Sequence, residues 1–144
     1  MQPLLQISFG GLLLILCTCV HILCFTIIIR QFRTWEARPH HWIISSDFRR
    51  IIYVLMALLA SHTVQVYMWA LTFWLGGMLE LFETAIYYAL VSYTTLGYGD
   101  VTLGPAFRIY GAMSSVVGVF TIGMSTAFLV SFFQDLLSKS NVGK

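Results

Sequence analysis

Charged residues are scarce in this chain of 144 residues. Asp, Glu, Lys and Arg together make up 10% of it, whereas 58% of its residues are hydrophobic. A water-soluble domain usually carries about 25% charged residues, so this chain has too little charge to cover a soluble surface. We therefore predict an integral membrane protein. The net charge of +2 is too small to indicate a nucleic-acid partner.

Cysteine is also sparse. The three cysteines, Cys17, Cys19 and Cys24, all lie in the first apolar stretch. An odd number with none in a loop argues against a disulfide framework. No pairing of a nucleophile with a base, and no acid–base constellation, stands out along the chain. We therefore predict no enzymatic activity and no cofactor.

Long apolar stretches dominate what is present. Three of them each exceed the roughly 20 residues that a spanning helix needs. We place these helices at residues 1–30, 51–75 and 109–133. The first is too long for the roughly 7–15-residue core of a cleaved signal peptide. A fourth stretch, at 82–94, is too short to cross and predicts a re-entrant helix. The predicted fold class is thus an all-α membrane protein.

Basic residues are distributed unevenly between the connections. The loop after the first helix and the tail at 135–144 hold most of them: Arg30, Arg33, Arg38, Arg49, Arg50, Lys139 and Lys144. Between the second and third helices there is one, Arg108. Positive charge marks the cytoplasmic side. We predict a multi-pass protein of the cell membrane with its N-terminus outside and its C-terminus in the cytoplasm.

The segment at 31–50 mixes aromatic and basic residues. Phe32, Trp35, Trp42 and Phe48 are interspersed with Arg, His and Glu, and Pro39 divides the segment. One interpretation is an interfacial segment on the inner leaflet, with its basic groups near anionic lipid. The other is an ordinary basic cytoplasmic loop.

Residues 94–100 read TTLGYGD. A cation that loses its water in a narrow pore needs oxygens in place of that shell, and consecutive backbone carbonyls can supply them. Aligning the carbonyls requires alternate left-handed residues, which favours glycine. Gly97 and Gly99 fall at that alternation. The Thr95 hydroxyl can add a further oxygen, while Leu96 and Tyr98 point away from the axis.

This motif closely resembles the potassium-channel signature, TVGYG followed by Asp, with Leu96 in place of Val. The resemblance covers about Ile51 to Phe133 and implies a pore module at 51–134. It also implies a selectivity filter at Thr95–Gly99 that binds K⁺ at Thr95, Leu96, Gly97 and Tyr98. Channels of this family assemble from four subunits, so the expected partners are three further copies in a cyclic tetramer around a central pore.

The resemblance also implies residues that support the filter. Tyr87 and Tyr88 occupy the positions of two tryptophans in the family, one of which hydrogen-bonds the Asp after the filter. Tyr87 and Asp100 are therefore the expected brace, with Thr94 leading into the filter. Plain aromatic packing at the membrane interface is the alternative for both tyrosines.

The third spanning helix would line the cavity. Gly118 lies about where related channels place a hinge glycine, and a spacing of four puts Ile122, Thr126 and Val130 on its face. A narrow apolar ring there can gate by dewetting. Gly118 can act as a hinge or can serve only close helix packing, and the sequence leaves both alternatives open.

Thiols and imidazoles share one face of the first helix. Cys17, His21 and Cys24 lie at spacings of four and three, and His62 of the second helix can reach a similar depth. Such groups can bind zinc or copper. Neutral, hydrogen-bonded packing residues are the alternative.

The predicted function is passive, potassium-selective conduction, with K⁺ as the permeant ion. A weakly selective cation channel is one alternative, although the intact Tyr98 argues against it. A non-conducting accessory subunit that docks through the N-terminal helix is another. A potassium-uptake transporter is a third, but those proteins carry four imperfect filters in one long chain.

Overall fold

The computed structural model describes residues 2–36 and 43–142. They form α1 (Pro3–Glu36), α2 (Ile43–Leu75), α3 (Phe82–Tyr93) and α4 (Arg108–Val142). Three of these helices are long and apolar enough to cross a membrane, along Pro3–Arg33, Asp47–Leu75 and Arg108–Ser138. The prediction of an all-α membrane protein with three spanning helices is confirmed.

The spanning helices extend beyond the apolar stretches that revealed them. α1 continues to Glu36, α2 begins at Ile43, and α4 runs on through the predicted tail to Val142. Bilayer thickness limits the apolar run, whereas a helix continues into water wherever its residues sustain backbone hydrogen bonds. Residues 37–42, with Arg38, Pro39 and Trp42, lie outside the described residues, as do Gly143 and Lys144. The interfacial segment therefore stays a prediction.

α1 packs along the other helices of its own chain, against both α2 and α4. Near the loop that follows α3, a buried cluster joins Cys17 of α1 to Trp69 and Phe73 of α2 and to Val117 of α4. Towards the other end, aromatic rings stack between α1 and α4. The centroids of Phe25 and Phe128 are 4.6 Å apart, and those of Phe32 and Phe132 are 5.3 Å apart. The first helix is thus packed against the predicted pore module over much of its length.

α3 lies against α2 and α4. Ala85 and Ala89, four residues apart on one face, are fully buried. Small residues at such positions allow close helix approach in membranes. A turn at Gly77, with φ of +66°, follows α2, and Leu81 precedes α3 in an extended conformation. Glu83 lies in the first turn of α3, where it interacts favourably with the helix dipole.

Gly118 permits a close contact between α3 and α4. A Cβ built on Gly118 would overlap the main-chain carbonyl of Tyr93, the last residue of α3. Backbone cannot move aside as a flexible side chain can, so this site admits only glycine without a shift of one helix. Close packing therefore accounts for the glycine, and bending of α4 at Gly118 remains a prediction.

Replacing Gly118 with Ala should destabilise the protein by about 1–3 kcal/mol, because an added methyl overpacks a filled site. Gly123→Ala is the matched control in the same helix, since a Cβ there meets no atom within 4 Å. Thermal unfolding of the two purified variants in detergent provides the measurement. Equal stability of the two variants would contradict the close contact at Gly118.

Candidate functional site

The TTLGYGD segment leaves the end of α3 in an alternating backbone conformation. Thr95, Gly97 and Gly99 have φ values of +61°, +56° and +78°. The sequence predicted the left-handed geometry at both glycines but not at Thr95. A β-branched residue in this region is a true outlier, at a cost of roughly 1–2 kcal/mol. Because the left-handed residues alternate at every second position, the spacing of Gly97 and Gly99 was the signal that would have predicted a left-handed Thr95.

The first half of this segment is tied back to α3. The N–H of Thr95 donates to the carbonyl of Ser92 at 3.0 Å, and that of Gly97 to Val91 at 3.2 Å. The Thr94 hydroxyl donates to the carbonyl of Leu90 at 2.8 Å. These bonds use carbonyls at the helix end that have no partner within the helix. The strained backbone is therefore fixed by the helix that precedes it.

α4 contributes a further anchor that sequence reasoning missed. The Ser115 hydroxyl donates to the Ser92 carbonyl at 2.7 Å. The same carbonyl also accepts from Thr95, so one oxygen joins α3, α4 and the start of the alternating segment. Ser115 lies three residues before Gly118, and together they hold α4 against the end of α3.

At the other end of the segment, Tyr87 and Asp100 form a hydrogen bond. The Tyr87 hydroxyl donates to Oδ2 of Asp100 at 2.5 Å. This bond lowers the pKa of the Asp100 carboxyl and raises the pKa of the Tyr87 phenol. Tyr88 turns the other way: its ring meets Phe73 of α2 edge-on, with centroids 5.0 Å apart, and its hydroxyl lies against Gly111. The two adjacent tyrosines thus have different surroundings.

Large apolar side chains of the segment lie open on the single chain. Leu96 is 55% exposed and Tyr98 is 67% exposed. On α4, Ile122 and Val130 are exposed together with Thr126, whose hydroxyl donates to the Ile122 carbonyl at 3.0 Å. Gly118, by contrast, is buried. The predicted cavity face of α4 is thus exposed at three of its four residues.

The structure brings His21 and His62 together, with ring centroids 5.0 Å apart. The cysteines do not join them in a ligand set. Cys17 is fully buried in the apolar cluster, and the Cys24 thiol donates to the Ala57 carbonyl at 3.4 Å. Within residues 2–36 and 43–142, no group of three or more His, Cys, Asp or Glu is placed to hold a metal ion. The two imidazoles are instead hydrogen-bonded to hydroxyl groups.

Polar side chains buried around these histidines were not anticipated as a group. Tyr93, in the last turn of α3, is 2% exposed and lies among them. Its hydroxyl is 2.8 Å from Nδ1 of His62 and 2.7 Å from the Thr121 hydroxyl. Polar residues such as Gln65 inside an apolar span were the available signal, since such residues usually face the interior of a bundle.

Comparison with known proteins gives one family. The model of a family described as "Ion channel" matches residues 51–135, which is more than half of the chain. This chain belongs to the ion channel family. The match begins in α2 and covers α3, the TTLGYGD segment and most of α4, but α1 lies outside it.

One curated relative supports the same assignment. The chain is similar to the potassium voltage-gated channel protein shk-1 of Caenorhabditis elegans, with 33% identity over 58 residues. That alignment covers 40% of this chain but only 11% of the relative. No solved structure gives a significant match. The likeness to the relative is therefore confined to a short part of it.

Replacing Tyr87 with Phe should raise the pKa of Asp100 towards its usual value, because the hydroxyl that stabilises the carboxylate is gone. The hydrogen bond between Tyr87 and Asp100 stabilises the folded state at neutral pH. This stabilisation is lost as the pH falls through the lowered pKa of Asp100. Titration of carboxyl groups by carbon-13 NMR measures the shift. Tyr88→Phe is the matched control, and an equal shift in both variants would contradict the brace.

Proposed function

We propose that this protein is the subunit of a potassium-selective channel that conducts K⁺ passively. The observation that carries the proposal is the left-handed backbone at Thr95, Gly97 and Gly99 within TTLGYGD. Carbonyl groups normally alternate in direction along an extended chain. A left-handed residue between two residues of other backbone conformation reverses this alternation. Consecutive carbonyls can then face one axis and replace the water shell of an ion.

The proposed K⁺ ligands are the carbonyl oxygens of Thr95, Leu96, Gly97 and Tyr98, with the Thr95 hydroxyl at the inner end. Backbone oxygens are neutral, so they hold a monovalent cation weakly enough for it to leave again. The C-terminal end of α3 lies immediately before these residues, and its partial negative charge favours a cation there. The relative's description as a potassium channel supports the same ion.

A complete filter requires several copies of the chain. One chain provides one strand of carbonyls, and Leu96 and Tyr98 are left exposed on it. A closed ring of identical subunits surrounds a common axis and can cover these side chains with its neighbours. We propose a homotetramer in which α1 lies on its own subunit, outside the pore module.

The charges at the two ends of the bundle support an orientation. Near the junction of α1 and α2 lie Arg30, Arg33, Arg49 and Arg50, whereas the filter end carries Glu80, Glu83 and Asp100. Positive charge remains on the cytoplasmic side, where anionic lipid attracts it. We therefore propose that the filter loop and the N-terminus face outwards and that the C-terminus is cytoplasmic.

Liposomes that contain only the purified protein should take up K⁺ and Rb⁺ but not Na⁺, and Ba²⁺ should block this flux. Gly97→Ala should abolish it, since an L side chain is strained at φ of +56°. Gly104→Ala is the control, because a Cβ there meets no atom within 4 Å. Flux of all three cations would support a weakly selective channel, and no flux would support an accessory subunit.

The purified protein should contain four copies of the chain. Native mass spectrometry from detergent micelles counts them directly, and brief cross-linking within liposomes provides an independent count. Cross-linked species of up to four subunits, and none larger, are expected from a closed ring. A stable monomer or dimer as the largest species would contradict the tetramer.

A further inference from the structure

Five side chains form a closed ring of hydrogen bonds inside the helices. Two of its links are made by His21 of α1: Gln65 Nε2 lies 3.2 Å from Nδ1 of His21, and Nε2 of His21 lies 2.9 Å from Oγ of Ser125. From Ser125 the ring continues to Nε2 of His62 at 2.9 Å, and Nδ1 of His62 lies 2.8 Å from the Tyr93 hydroxyl. The Tyr93 hydroxyl closes the ring on Oε1 of Gln65 at 3.1 Å.

The direction of every bond follows from the Gln65 amide. Its nitrogen can only donate, so Nδ1 of His21 accepts, and a neutral His21 then carries its proton on Nε2. That proton goes to Ser125, whose single hydroxyl proton goes to Nε2 of His62. His62 then donates from Nδ1 to Tyr93, which donates back to Gln65.

In this arrangement each of the five groups donates once and accepts once around the ring. Turning the amide over reverses all five bonds and also closes the ring, so closure does not depend on that assignment. Both imidazoles are neutral in either direction. The directions of all five hydrogen bonds in the ring are therefore compatible, and these bonds strengthen one another in a medium of low dielectric.

All four helices contribute to this ring. His21 belongs to α1, His62 and Gln65 to α2, Tyr93 to α3 and Ser125 to α4. His21 and Gln65 are fully buried, and Ser125 is 7% exposed. A buried polar group that loses its partner has no water to replace it. The position of each helix is therefore constrained by the other three through this ring.

Tyr93 connects the ring to the filter. It lies two residues before Thr95, and its carbonyl occupies the space that Gly118 leaves open. The preceding residue, Ser92, accepts the Thr95 N–H. A displacement of Tyr93 would therefore move the backbone from which the left-handed alternation starts.

We propose that this ring positions the selectivity filter, and that His21 makes α1 a part of the filter's support. The proposal rests on the potassium-channel function proposed above. His21 is a positioning residue: it acts on the filter through Gln65 and Ser125, and through them on Tyr93. The family match begins at residue 51, so the contribution of α1 comes from outside the part of the chain that the family model covers.

The test compares variants of the full chain in liposomes. His21→Phe keeps a buried ring but removes the hydrogen bonds of the imidazole to Gln65 and Ser125, together with its side contact to the Ser61 hydroxyl at 2.9 Å. Ser125→Ala cuts the link between the two histidines. In each we expect the ratio of Rb⁺ to Na⁺ flux to fall about tenfold, which corresponds to about 1.4 kcal/mol. His21→Gln should restore most of the ratio, because an amide offers both a donor and an acceptor.

Thr18→Ala is the matched control on α1. Its hydroxyl donates only along its own helix, to the Leu14 carbonyl at 2.9 Å, and its loss should leave the flux ratio unchanged. If His21→Phe and Ser125→Ala remain as selective as the wild type, the positioning role is overturned. It is also overturned if His21→Gln lowers the ratio as much as His21→Phe, since volume and not hydrogen bonding would then matter.

Hydrogen–deuterium exchange separates this proposal from the proposed function. In His21→Phe and Ser125→Ala, amides at 92–99 should exchange faster than in the wild type and in Thr18→Ala, whether or not the liposomes conduct. A wild type without selective flux would reject the potassium channel alone. Unchanged exchange in both variants would reject the positioning role alone.

Discussion

A membrane offers no water to an unpaired backbone group, and this constraint governs the centre of the structure. Irregular backbone at membrane depth is tolerated only where protein or a water-filled cavity surrounds it. Residues 94–100 are irregular backbone, since they follow a short helix and leave helical geometry at once. The surrounding helices respond with hydrogen bonds and close contacts at that point. Three features that look separate along the chain, Ser92, Ser115 and Gly118, meet there.

The end of α3 is held in two chemically different ways. Backbone contacts fix its main chain, through the carbonyl of Ser92 and the close approach of Gly118 to Tyr93. Side-chain hydrogen bonds fix the Tyr93 ring, which reaches into a buried polar group from the other three helices. Elsewhere the helices are joined mainly by apolar contacts, such as the stacked Phe25 and Phe128, with isolated hydrogen bonds such as that from the Tyr110 N–H to Gln6. Apolar contacts tolerate small sliding movements, whereas a closed set of directional bonds does not, so the strictest geometry lies beside residues 94–100.

Sequence reasoning predicted the spans and the left-handed glycines of the TTLGYGD segment because each depends on local chemistry. Span length follows from bilayer thickness, and Gly97 and Gly99 follow from a backbone conformation that disfavours side chains. Helix ends were missed, since α1, α2 and α4 extend past the apolar stretches. The left-handed Thr95 was also missed, because its conformation is imposed by its hydrogen bond to Ser92 and not by its own preference.

Side chains within the spans were harder to predict, since their partners lie far away in the sequence. Helical spacing correctly put His21 on one face with Cys17 and Cys24, but it could not reveal that Ser125, 104 residues away, would meet His21. A pattern along one helix identifies which of its residues share a face. It does not identify the residues of other helices that pack against that face. Thiols beside an imidazole therefore suggested a metal, whereas hydroxyl and amide groups from the other helices satisfy the imidazole.

A buried tyrosine hydroxyl at the end of α3 has a consequence for the whole chain. An apolar residue at position 93 would fit a bundle of α2, α3 and α4 without further requirements. Tyr93 instead needs partners in a region without water, and His62 of α2 supplies one. His62 in turn shares Ser125 with His21, so α1 takes part in the same set of hydrogen bonds as α2, α3 and α4. The helix that lies outside the shared family module is therefore bound to it by polar bonds as well as by apolar packing.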